Sequence, residues 1–389
     1  MSNIMNILQG CVRYPPAPGG AETVVKAYSE GLAGKGHNVE VITTDLYTET
    51  PFVKKKMPSK VSGIPVSRHS AFTISGEAHY VLAPGMIKSF LSKKADIIHT
   101  HSYGYFQNHA GWIREKLQST PWVITPHFHP SWSMWGGAKR RTLRDFYDSK
   151  IGKTTMEAAD LITCVSNHEK DVLVKEIGLN DDNIKIIYNG IYWDDWKEVP
   201  SKKVFRDKFP QISDKFVIFA GRLATNKGLT NLIEAMSIGD SEEFDLVIMG
   251  ADMGLGKDLD ALALSKKVKM HRLGHVDDEV YRSALATAEV LVLPSEYEAF
   301  GIVLLEAAAA NTPVIGTRVG GIPEAMSENK NGLIVDYDNS NDLSKAIFSI
   351  LGDNKMSKEM GDFGRKFSSN FSWENIIDIL EKEYDSLLA

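Results

Sequence analysis

The 389-residue chain has only two cysteines, Cys11 and Cys164, too few for a disulfide framework or a thiolate metal site and suited to a reducing compartment. No apolar run approaches the ~18 residues needed to cross a bilayer. Residues 1–10 (MSNIMNILQG) lack the cationic start and apolar core of a secretory leader. Excess positive charge is missing as well: the formal net charge is -6, which gives no general reason to expect nucleic acid as a partner. Neither half carries G-x-G-x-x-G with an acid about 20 positions on, which disfavours a nicotinamide-dependent oxidoreductase. No short-period repeat or low-complexity stretch is present. The location these absences predict is cytoplasmic, extending to the inner face of a membrane.

What is present is ordinary for a globular protein, 43% apolar and 24% charged, in a chain longer than a single core usually grows. Short β-rich runs alternate with helical patterns almost throughout, which predicts an α/β protein with parallel sheets covered by crossover helices. Strands are expected at 4–8, 39–43, 97–100, 122–125, 161–165 and 184–187. A second series is expected at 216–220, 245–249, 268–272, 290–293, 314–316 and 333–335. Helices in the first half are expected at 21–33, 86–93, 110–117, 141–158 and 168–176. Between Asn189 and Asp214 the alternation dissolves into aromatic, charged and proline-containing sequence, the best interdomain connection. The division that follows is an N-terminal domain at 1–195, joined by a last helix at 372–389 whose start is marked by Ser372-Trp373-Glu374, and a C-terminal domain at 196–371. Two doubly wound sheets would place a ligand cleft at strand carboxyl ends.

The most informative stretch is 288–313 (AEVLVLPSEYEAFGIVLLEAAAANTP): a buried strand, a loop, then an alanine-rich helix opening near Gly301. A helix start offers free N–H groups and a positive dipole end, a receptor for phosphate. Glu298 in the loop and Glu306 in the second helical turn could accept hydrogen bonds from sugar and ribose hydroxyls. Alone, such a pair reads more simply as a solvated helix face. Strand 216–220 is followed by Gly221, Arg222, Lys227 and Gly228, and a guanidinium fork beside an ammonium suits a diphosphate; the plainer reading is a solvated loop. In the first half Pro15 to Glu22 (PPAPGGAE) leads from a strand into a helix, so Gly19 and Gly20 allow close backbone approach to a ligand, without the spacing of a known phosphate loop.

Taken in order, Gly19-Gly20-Ala21-Glu22, Asp96 to His101 (DIIHTH), Val165-Ser166, Asn189-Gly190, Gly221-Arg222 with Lys227-Gly228, Glu298 through Glu306 and Gly320 to Glu324 (GGIPE) resemble the family four retaining glycosyltransferases over nearly the whole chain. The resemblance implies the GT-B architecture: two facing Rossmann-like, doubly wound domains with a cleft between them, the last helix crossing back to the N-terminal domain. It implies a hexosyltransferase that moves a sugar from a nucleotide-diphosphate sugar with retention of configuration, needing neither a metal nor another cofactor. Arg222 and Lys227 would hold the donor diphosphate, helped by backbone near Gly20, Gly301, Ile302 and Val303. Glu298 would hold the transferred sugar and Glu306 the ribose, with Phe300 in the same donor loop. Gly274-His275-Val276 matches the base-cradling loop, and His127 matches the active-site histidine. His127, Arg222, Lys227 and Glu298 form the catalytic set. Ala299 stands where glycine is common, Asn311 replaces a small turn residue, and Asn189 to Tyr192 lacks an aspartate often found after the glycine.

Other signals compete with plainer readings. His99, His101, His127 and His129 fall in pairs two apart at two strand ends, each pair on one face. With no cysteine or paired carboxylate joining them, hydrogen bonding is favoured over zinc: His101 as a cleft residue on the acceptor side, His99 and His129 as structural. Asp336-Tyr337-Asp338 resembles an acidic metal-binding pattern but reads as a surface turn. Residues 127–147 mix Trp132 and Trp135 with Arg140 and Arg141, and Lys54, Lys55, Lys56 and Lys60 form a second basic run. These suit an anionic membrane surface or a glycan or lipid-linked acceptor, or equally a core-packed loop and solvated lysines. An epimerase or sugar phosphorylase on the same fold and a non-catalytic sugar-nucleotide-binding protein remain alternatives.

Overall fold

A computed structural model describes residues 3–49, 51–73, 80–130, 142, 144–239 and 243–389. The chain forms two compact units, Met1–Asn189 with Trp373–Ala389, and Gly190–Ser372. Position 195 lies in the second unit, inside the 3-10 turn Trp193–Trp196.

The main sheet of the first unit contains β1 (Asn6–Gly10), β2 (Asn38–Thr44), β3 (Lys60–Val61), β4 (Ile64–His69), β5 (Ile97–His101), β6 (Trp122–Thr125), β7 (Leu161–Cys164) and β8 (Ile184–Ile186), in spatial order β8-β7-β6-β5-β1-β2-β4-β3. Every pair is parallel except β3 with β4. Strands β5, β6 and β7 (IIHTH, WVIT, LITC) are buried at every position, as befits parallel strands covered on both faces. The second unit contains β9 (Phe216–Ala220), β10 (Asp245–Met249), β11 (Met270–Gly274), β12 (Val290–Leu293), β13 (Val314–Thr317) and β14 (Gly332–Val335), all parallel, in order β11-β10-β9-β12-β13-β14.

Several elements differ from expectation. β1 begins at Asn6 rather than residue 4, and β11 covers Met270–Gly274 rather than 268–272. β4 was not foreseen: IPVSRH carries a proline and three polar residues and sits next to the sheet edge, where a strand shows little apolar pattern. The helix expected at 141–158 is, where described, helical at 142 and 144–147, widens into a π-type turn at Asp148–Gly152 and continues as a helix at Lys153–Glu157. The helix expected at 168–176 is Asn167–Val172, widening into a π-type turn at Leu173–Ile177. The stretch 189–214 is no bare connection. Trp196 and Phe205 are buried, the helix Lys202–Lys208 forms, and Ser283 Oγ accepts the Phe205 amide at 2.8 Å.

The helix Trp373–Leu388 belongs to the first unit, where it packs on the helix Gly20–Gly34. A Cβ on Gly31 would lie 2.5 Å from Ile377 Cγ1, so glycine sets how closely these helices approach. Trp373, Ile376, Ile377, Leu380 and Tyr384 are its buried face. Lys35 pairs with Asp378 at 2.5 Å and Glu381 at 2.8 Å.

Candidate active site

In the second unit the chain steps from β9 outward through β10 to β11, returns to the other side of β9, and steps outward again through β12, β13 and β14. Where the direction reverses, the loops leaving the carboxyl ends of β9 and β12 lie side by side, at the usual ligand position in a doubly wound sheet. Lys227 stands on the first loop and Glu298 on the second, and the two form an ion pair. Their side chains are only 12% and 19% exposed, so the attraction is screened less than at an open surface. Ser295 Oγ donates to the same carboxylate oxygen at 3.3 Å. Arg222 is exposed on the β9 loop.

Backbone contacts fix the two loops to one another, and the β12 loop to the loop after β13. The Glu296 amide donates to Asn226 O at 2.9 Å, and the Gly321 amide to Glu298 O at 2.9 Å. Gly228 has φ 65°, and a Cβ there would lie 1.9 Å from Pro294 O; Gly320 has φ 55°, with Glu298 O equally close. Both need the left-handed region and the absence of a side chain.

The helix Ile302–Ala309 starts from Gly301, at φ 94°, with no side-chain cap and no acid in its first turn. The amides of Ile302 and Val303 therefore sit at a positive dipole end open to an anion. Glu306 follows one turn later and accepts a hydrogen bond from the Tyr281 hydroxyl at 2.5 Å. Burial raises the Glu306 carboxyl above the usual carboxylate range, opposed by the Tyr281 hydrogen bond and reinforced by Asp278. Phe300, expected to line the donor site, is buried to 1% and packs its ring on Phe371 with centroids 6.0 Å apart. Its side chain belongs to the core, because the apolar ring gains more from packing there than from contact with water. Val276 is half-buried just beyond β11, before the helix Asp278–Thr287.

In the first unit Gly19 and Gly20 open the helix Gly20–Gly34, but the Glu22 carboxylate folds back against Gly19 and pairs with Arg13 at 2.8 Å. That helix start already faces an internal anion. His127 follows β6 with φ 43°, a costly conformation for a non-glycine residue. Its ring stacks on His101 (centroids 6.0 Å, interplanar 20°), and its buried Nε2 has no hydrogen-bond partner. Burial, with the nearby His129 charge, lowers its pKa to about 4, so the ring is neutral at pH 7. The Phe128 amide next to it donates to the Glu169 carboxylate, which also accepts the Val165 amide at 2.6 Å.

His101 is fully buried, its Nε2 against Gln9 Oε1 at 2.7 Å. It therefore has no exposed surface with which to touch an acceptor, contrary to the sequence expectation. His99 is also buried, with Nδ1 on the Tyr384 hydroxyl at 2.6 Å and Nε2 on Thr125 Oγ1 at 2.7 Å. Both ring nitrogens being engaged, its role is structural. Among the described residues no group of three or more His, Cys, Asp and Glu residues could hold a metal ion, and Asp336 to Asp338 lie in a turn after β14. Trp132, Trp135, Arg140 and Arg141 lie outside the described residues. No helix among the described residues is long and apolar enough to cross a membrane.

Sequence reasoning missed Glu169 and Tyr281. The spacing Ser166-x-x-Glu169 is a capping-box pattern and could have exposed the first: Ser166 Oγ accepts the Glu169 amide at 3.0 Å. Tyr281 gave no comparable signal, since its partner lies 25 positions on in another helix.

Two family models match successive parts of the chain: "Glycosyltransferase Family 4" at residues 18–193 and "Glycosyl transferases group 1" at 201–367. An "uncharacterized glycosyltransferase" of Methanocaldococcus jannaschii is 27% identical over 99% of both chains. The alpha-maltose-1-phosphate synthase of Mycolicibacterium smegmatis is 28% identical over 74% of this chain and 78% of its own. Among solved structures, sucrose-phosphate synthase from Thermosynechococcus elongatus superposes with a TM-score of 0.78 at 21% identity, covering 98% of this chain and 99% of that one. Anabaena HepE in complex with UDP and glucose gives 0.79 at 19% identity, covering 98% and 100%. With family models along both units and this shared fold, the chain belongs to the group 1, family 4 glycosyltransferases and has the GT-B fold of two Rossmann-like units.

Proposed function

We propose that this glycosyltransferase takes its sugar from a nucleoside-diphosphate sugar, transfers it with retention of anomeric configuration, and uses no metal ion. The observation that carries this reading is the convergence of Lys227, Glu298 and the uncapped helix start at Ile302 where the strand order reverses. Donor binding would exchange the Lys227–Glu298 contact for two others. The ammonium turns to the diphosphate with Arg222, and the carboxylate takes hydroxyls of the sugar. Glu306 then accepts from the ribose, and the turn at Gly274 to Val276 offers its backbone to the base.

As the bond from the anomeric carbon to the diphosphate oxygen lengthens, negative charge grows on the leaving group. Arg222, Lys227 and the amides of Ile302 and Val303 are donors aimed at that charge, usually the largest catalytic contribution. The departing phosphate oxygen takes the acceptor hydroxyl's proton as that oxygen bonds to the same face of the sugar. His127, neutral at pH 7 and half-buried beyond β6, matches the family's histidine near the reacting sugar and would hydrogen-bond it without adding charge. The acceptor class is a glycan, a lipid-linked sugar or a small molecule. Lys54, Lys55, Lys56 and Lys60 would meet the anionic inner face of a membrane.

The test begins with thermal shifts by UDP-, GDP- and ADP-sugars, since a ligand of the folded state raises its melting temperature. HepE bound to UDP and glucose makes UDP-glucose the first trial. With the donor found, Lys227→Ala and Glu298→Ala should each lower kcat/KM at least about a hundredfold, product anomer should match donor by NMR, and EDTA should leave the rate unchanged. Full turnover in both variants would overturn the assignment.

A further inference from the structure

The strongest unassigned feature is the contact between two helices that follow different donor loops. The helix Asp278–Thr287 starts directly after the turn Gly274-His275-Val276, and Asp277 caps it by accepting the Val280 amide at 3.0 Å. The helix Ile302–Ala309 starts at the end of the β12 loop and carries Glu306. Tyr281, in the first helix, donates its hydroxyl to Glu306 Oε2 at 2.5 Å, and both residues are half-buried. One hydrogen bond thus joins the segment beside the base turn to the carboxylate beside the phosphate-facing helix start.

We propose that Tyr281 is a positioning residue that sets recognition of the donor's ribose: by holding Oε2, it turns Oε1 of Glu306 toward the ribose hydroxyls and ties that carboxylate to the base turn. The inference rests on the donor reading above. A carboxylate with one oxygen anchored presents the other in a fixed direction, which a freely rotating glutamate does not. The phenol also opposes the burial that would protonate Glu306. Burial and the nearby carboxylates in turn keep Tyr281 protonated well above its usual range, so it is a permanent donor. Both functions need the hydroxyl and not the ring.

The experiment compares wild type and Tyr281→Phe for binding of whichever of UDP, GDP and ADP the protein takes, beside its 2′-deoxy and 3′-deoxy counterparts, with inorganic pyrophosphate as competitor. Wild type should prefer the ribonucleotide. In Tyr281→Phe that preference should fall about tenfold, the size expected for a hydrogen bond to a charged group, while deoxynucleotide and pyrophosphate binding stay unchanged. KM for the donor should rise with kcat preserved, and Tyr281→Phe should add nothing in a Glu306→Gln background. Equal weakening of ribo- and deoxynucleotides, or full discrimination in the variant, would overturn the inference while leaving the donor reading intact. If no nucleoside diphosphate binds wild type, the donor reading falls and this inference with it.

Discussion

The imidazoles of His99, His101 and His127 form a continuous stack, with centroids 4.2 Å apart for the first pair and 6.0 Å for the second. Protonating one would bury a charge within the stack, so burial first, and then the charge of His127, push the His99 pKa to about 3. Since the folded-state value lies below the unfolded value of about 6.5, the unfolded chain takes up a proton first as pH falls. His99 thus costs no stability above about pH 6.5 and removes about 2 kcal/mol at pH 5. Its C2 proton should show no NMR titration between pH 8 and pH 5; a midpoint near 6.5 would contradict the assignment. At this scale the sequence was legible where chemistry is carried by residue type at fixed spacing. Lys227 and Glu298, singled out in separate motifs, lie on neighbouring loops of one unit, although their ion pair was not expected, and His99 is structural as expected. It was opaque where solvent access decides, as with His101 and Phe300, because a sequence does not print which face of a strand end is covered. Tyr281 was opaque for another reason, its function depending on a partner in a different element.

At the scale of elements, the strands of the second unit follow the sequence closely because buried parallel strands are short apolar runs bounded by turns. Strand β4 and the π-type turns escaped, since edge pairing and widened helical turns leave little pattern in the residues. The site's rigidity comes from loops packed backbone to backbone. Gly228→Ala should therefore cost at least about 2 kcal/mol through left-handed strain and the clash with Pro294 O. It should also weaken nucleoside-diphosphate binding by moving Lys227. Urea unfolding and calorimetric titration read the two effects, and unchanged values for both would show that the loop accommodates a side chain.

At the scale of the whole molecule, the two-unit organisation and the return of the last helix are features a sequence can suggest only through resemblance, since nothing in residues 373–388 names the surface they cover. That surface includes Gly31 and His99. Each of the buried side chains Trp373, Ile376, Ile377, Leu380 and Tyr384 contributes roughly 1.5–3 kcal/mol, and loss of Tyr384 would leave His99 Nδ1 without its partner, at about 1–3 kcal/mol. Against a typical domain stability of about 5–15 kcal/mol, removal of Trp373–Ala389 should abolish the first unit's unfolding transition in calorimetry, while a fragment Gly190–Ser372 should retain its own. Survival of the first unit's transition would show that the helix is dispensable.

The partnership of Tyr384 with His99 spans 285 positions, and this imposes an order on biosynthesis. At roughly 5–20 residues per second, a ribosome needs roughly 15–60 s to pass from one to the other, during which the entire second unit emerges. For that interval the nascent first unit displays Tyr28, Gly31 and His99 uncovered, the face a chaperone would hold until its last helix is made.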